Sequence, residues 1–164
     1  MMSLTIFSQF LLYVSLALLM GTFILYCIPE TIRPKIDISA KWLIVSAVIL
    51  PVVTFVPNIQ LLTILTPQFG LIESVGMLLM KFKVGHSWLA IVGFTIILLI
   101  VIQQFMKKTS KLMAIMAIFI LIAIMAAIGY ISHAGSMTGL VGSALDFVHL
   151  LAVSVWLGIL LMMS

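Results

Sequence analysis

Three histidines, four acidic residues and a single cysteine are all the conventional metal- or proton-handling side chains in this 164-residue sequence. Two of them stand together. Asp146 and His149 are three positions apart, which places them on one face of a helix. A carboxylate one turn from an imidazole can orient the ring, fix its tautomer or share a metal ion with it. Just upstream runs the densest polar stretch of the chain, Ser132-His133-Ala134-Gly135-Ser136-Met137-Thr138-Gly139. His133, Met137, Asp146 and His149 are therefore the candidate metal-binding residues. The plainer alternative is that Asp146 anchors a helix near a surface while His149 and His133 satisfy neighbouring helices. A histidine at a helix C-terminus also suits the dipole. His86, beside Trp88, reads as an interfacial anchor.

Methionine is the second unusual feature, with 12 residues. Thioethers are soft ligands that favour Cu(I), and imidazole accepts copper in either valence as well as zinc. Met113 and Met116 are one turn apart and could form part of an exit path, with Met106, Met162 and Met163 at similar depth. The competing reading is that methionine is a flexible apolar filler. Cys27, alone in an apolar run, can form no internal disulfide and is expected to fill space.

The elements that must position these residues follow from composition. The chain is 65% hydrophobic and 7% charged, with a mean hydropathy of +1.42. Soluble domains are about 45–50% apolar and about 25% charged. A chain this small cannot hide the excess inside a globule, which excludes a cytosolic enzyme, a nucleic-acid binder and a disordered protein. Five apolar runs are long enough to span a bilayer: residues 6–28, 42–65, 86–106, 112–131 and 143–163. Backbone groups in lipid must be satisfied internally, so these runs are helices, and the expected fold is an all-α polytopic bundle forming one domain over 1–164. The first run lacks the features of a cleaved signal peptide: no Lys or Arg precedes it and no small-residue cleavage site follows.

The net charge of +4 resides in short basic clusters between spans. Arg33, Lys35 and Lys41 mark the first loop, and Lys107, Lys108 and Lys111 the third. The second loop has Lys81 and Lys83, and the N-terminus and fourth loop have none. The positive-inside rule then puts the N-terminus outside and all three histidines on the external side. Pro51 and Pro57 are expected to kink the second span near Asn58 and Gln60, making the outer half the polar half. Residues 70–83 are too polar to cross and should form an interfacial helix, with Met77 and Met80 one turn apart. Gly135, Gly139, Gly142, Ala144, Ala152, Ser154 and Gly158 should let the fourth and fifth spans approach closely.

The stretch from Ser132 to Leu161 resembles the bacterial copper resistance D family of inner-membrane proteins. The resemblance rests on His133-Ala134, then Asp146 three residues before His149, then Trp156 and Gly158 in the same helix. It covers about thirty residues, while the first four spans match only in general character. It implies copper uptake across the cytoplasmic membrane, copper as the bound ion, and a periplasmic or extracellular copper-binding protein as partner. Family members usually have about eight spans and often a copper-binding extension. This chain, with five spans expected, is similar to their N-terminal part, which implies a C-terminal half or a homo-oligomer.

Two other functions fit the same residues. One is electron transfer through a b-type haem held by two histidines on facing helices. The other is a structural subunit with no ligand. No enzymatic activity is expected, since the sequence has neither an H-E-x-x-H zinc signature nor a G-x-S-x-G nucleophile turn.

Overall fold

The computed structural model describes residues 2–34, 38–132 and 139–163. Seven α-helices are described: α1 (Met2–Cys27), α2 (Ala40–Thr54), α3 (Val56–Phe69), α4 (Leu71–Lys81), α5 (Lys83–Lys107), α6 (Lys111–Tyr130) and α7 (Leu140–Met163). Five segments are long and apolar enough to cross a membrane: α1, α2 with α3 as one broken span over Ala40–Phe69, α5, α6 and α7. The protein is a multi-pass membrane helical bundle.

Local chemistry sets the ends of these helices. α1 stops ahead of Pro29, and the side-chain oxygen of Ser39 accepts the Lys41 N–H at 3.2 Å to cap the start of α2. Between α3 and α4 the chain turns at Gly70, whose φ of +78° is a conformation that only glycine adopts freely. α4 has 11 residues, too few to cross, and buries Ser74 and Leu78 against its neighbours. It packs on α3 and α5.

α1 is the central helix, packed against α2, α6 and α7. Its Leu16, Leu19, Met20 and Phe23 are buried among Leu50 of α2, Leu98 and Phe105 of α5, and Leu121 and Met125 of α6. Lipid is as apolar as leucine, so close packing rather than water exclusion must hold such helices together. The small residues show where. A Cβ on Gly21 would strike the backbone of Gly158, and a Cβ on Gly158 would strike Ala17 and Gly21.

This corrects one expectation. Gly158 serves the contact between α7 and α1, the fifth and first spans, not that between the fourth and fifth. α6 approaches α7 instead through Gly129, where a Cβ would crowd Ser143 and Phe147. Gly135 lies outside the described residues, and Gly139 has open space around it.

Candidate functional site

The second span breaks at Phe55, and hydrogen bonds around that residue show how. Pro51 sits inside α2, while Pro57 falls in the first turn of α3, where a missing N–H is tolerated. Phe55 N–H bonds Val52 O at 3.3 Å, so the Pro51 carbonyl loses its α-helical donor. One side chain replaces it. The Trp88 indole N–H, from α5, donates to Pro51 O at 2.9 Å, and the Thr54 hydroxyl lies 3.3 Å from the same oxygen and 2.7 Å from Leu50 O. The Trp88 ring packs on Phe55 with centroids 4.8 Å apart. Trp88 is thus a clamp on the helix break. His86, expected to anchor the interface beside it, is exposed, with Nε2 3.1 Å from the Met80 carbonyl at the end of α4.

Beside the break opens a cavity of about 660 Å³. From α1 come Thr5, Ser8, Gln9, Leu12 and Tyr13; from the broken span Val53, Thr54, Pro57 and Gln60. The end of α6 adds Ile128, followed by Ile131 and Ser132, and α7 adds Asp146, His149 and Leu150. Tyr13 meets His149 edge to face, with centroids 6.4 Å apart and planes at 81°. The lining runs from the end of the bundle that the basic-residue pattern assigns to the exterior down to mid-span at Val53 and Thr54.

Asp146 and His149, paired in sequence, are both brought to this cavity, Asp146 half-buried and His149 exposed. His133 and Met137 lie outside the described residues. Met113 and Met116 do not line the cavity. Met113 is packed against the core, and Met116 is exposed on α6. At similar depth, the Thr22 hydroxyl donates to the Met162 sulfur at 3.9 Å. Cys27 is partly buried against the core, as a space-filling residue would be. Among the described residues, no group of three or more His, Cys, Asp or Glu side chains comes together.

Sequence reasoning missed the contribution of α1. Positions 5, 8, 9, 12 and 13 repeat at i, i+3, i+4, i+7 and i+8, the signature of one helical face. Four of the five are polar, in a run that is otherwise nearly all apolar. That stripe was a readable signal for a polar cavity wall. Chemically, the assembled site offers one carboxylate, one imidazole, a phenol and several hydroxyl and amide oxygens within a membrane-spanning bundle. It suits a small cation or a proton better than an anion, since among the described residues no lysine or arginine lines it. No protein-family model matches the sequence, and no curated protein or solved structure is significantly similar to it.

Proposed function

We propose that the protein takes part in copper transport across the cytoplasmic membrane, with copper as cargo bound first in the outer cavity. The observation that carries this reading is that Asp146 and His149 open onto one cavity in an otherwise apolar bundle. Ionisable groups within a membrane span are expensive and mark substrate paths by default. His149 supplies a nitrogen donor that copper accepts, and Asp146 an oxygen donor or a hydrogen-bond acceptor that sets the imidazole tautomer. His133 and Met137, from the segment before α7, are the proposed further donors, and a thioether favours Cu(I). Met113 and Met116 are the proposed exit residues. The resemblance of residues 132–161 to the copper resistance D family supports the choice of copper over other cations. The same resemblance suggests a periplasmic or extracellular copper donor, and a second half or second copy to complete the path.

The test is the metal content of detergent-purified protein after exposure to copper or to zinc. One copper per chain, lost in His149→Ala, is the expected result. No retained copper, or equal copper in His149→Ala, overturns the reading. The direction of access is tested in a Cys27→Ser background with single cysteines at Thr138 and Thr109. An impermeant thiol reagent applied to intact cells should label the first and spare the second, and the opposite pattern would place the cavity on the inner side.

A further inference from the structure

The break in the second span does more than bend it. In a continuous helix Val53 O would accept from residue 57 and Thr54 O from residue 58. Residue 57 is proline, which has no N–H, and Asn58 N–H bonds Phe55 O at 2.9 Å instead. Two successive carbonyls thereby lose their α-helical donors, Val53 O keeping only a share of the Phe55 N–H that also bonds Val52 O, and both residues line the cavity that carries Asp146. The Thr54 hydroxyl has given its proton to Leu50 O at 2.7 Å, so its oxygen can face the cavity only as an acceptor. Gln60 adds an amide oxygen to the same wall.

We propose that the broken second span and Asp146 form an oxygen-donor site for a hard monovalent cation of the Na⁺ class, with ligands distinct from the imidazole used by copper. Backbone and carboxylate oxygens suit hard cations, whereas soft ions favour sulfur and nitrogen. Interrupted membrane helices commonly use unwound carbonyls in this way. Charge decides between one and two positive charges. Asp146 is the one acidic side chain among the described residues that line the cavity, so it balances a monovalent ion and leaves a divalent one half-compensated. Trp88, which holds the Pro51 carbonyl, is a positioning residue for the break. This site goes beyond the copper reading and stands without it.

The experiment is thermal unfolding of the detergent-purified chain in NaCl against choline chloride at equal ionic strength. A ligand bound only by the folded state raises Tm by mass action. The wild type should show a saturable rise in NaCl, and Asp146→Asn should abolish it. His149→Ala should keep the sodium effect while losing copper, which separates failure of one reading from failure of the other. Pro57→Ala returns an N–H donor to the Val53 carbonyl, so it should need more NaCl for the same rise without lowering Tm in choline chloride. Absence of a sodium-specific rise in the wild type, its survival in Asp146→Asn or its loss in His149→Ala would each overturn the proposal. Should Asp146→Asn fail to fold, retention of radiolabelled sodium decides: weaker retention by Pro57→Ala than by wild type supports the site, and equal retention overturns it.

Discussion

In the half of the bundle that the basic-residue pattern assigns to the cytoplasm, the inner half by that rule, α1 and α7 touch backbone to backbone at Gly21 and Gly158. Beside them Phe105 receives Phe23 and Tyr26 edge to face, at 5.4 and 4.8 Å. Arg33 closes that end, 4.5 Å above the Tyr26 ring and 3.6 Å from Glu30. In the outer half the same α1 turns a polar stripe toward a cavity, and the span opposite is broken at Phe55. One helix therefore serves as packing core at one end and as site wall at the other. Stability and chemistry are therefore separated along the bundle axis. The inner half can be packed tightly because its described lysines, Lys41, Lys107, Lys108 and Lys111, are exposed at helix ends, leaving apolar side chains and glycines at the contacts. The outer half tolerates free carbonyls because a cavity and borrowed donors are there to meet them.

The sharpest way to break this comparison is to force the inner contact apart. Gly158→Val places a branched side chain where the backbone of α1 already stands. Overpacking of side chains usually costs about 1–3 kcal/mol. Here main chain, not a flexible tip, is in the way, so the loss should exceed that range and show as failure to form a monodisperse, thermally cooperative species in detergent. A variant as stable as wild type would mean that the close approach of α1 and α7 is not what holds the inner half.

A smaller effect is expected at the edge of the outer half. Trp88→Phe keeps most of the ring that packs on Phe55 but removes the indole donor to Pro51 O. An acceptor left unmet costs about 1–3 kcal/mol, and the Thr54 hydroxyl nearby has its proton on Leu50 O. Thermal unfolding checks the cost, and accelerated hydrogen exchange at residues 55–59 checks its location. Destabilisation spread evenly over all spans would deny Trp88 its role as a clamp.

How far these features were legible depends on whether the signal lay within one segment. Five spans, a short separate helix after Gly70 and a bend at Pro51 and Pro57 follow from hydropathy and proline chemistry alone, and the structure bears them out. The position of the break was not legible, because it turns on which proline falls in a first turn. Pro57 does, and Pro51 stays inside a helix. The partners of the small residues on α7 were not legible either. A glycine face records that something approaches closely, but Gly21 on the first span and Gly129 on the fourth are equally suitable, and only the bundle order assigns each. The Asp146 and His149 pair was visible from spacing, whereas Tyr13 against His149 joins residues too distant in sequence for any periodicity to connect.

The smallest effect on stability is expected at that pair, together with the largest effect on binding. Asp146 is half-buried and His149 exposed, and among the described residues no hydrogen bond or ion pair of either side chain holds the bundle together. Substitutions away from packed or paired positions usually stay within about 0.5 kcal/mol, so Asp146→Asn should unfold close to wild type, and His149→Ala, which loses the Tyr13 edge-to-face contact, should cost about 0.5–1.5 kcal/mol. Copper affinity should fall by about 10–100-fold in Asp146→Asn, the usual cost of losing a group that orients a ligand, and at least as far in His149→Ala. If the two act on one ion, the double variant binds little worse than the weaker single variant, because residues sharing a partner are not additive. Equilibrium copper competition, read beside thermal unfolding of the same preparations, measures both quantities at once. A large loss of stability in either single variant would place this pair among the structural contacts and erase the division between the two halves, and additive losses of binding would assign Asp146 and His149 to separate roles.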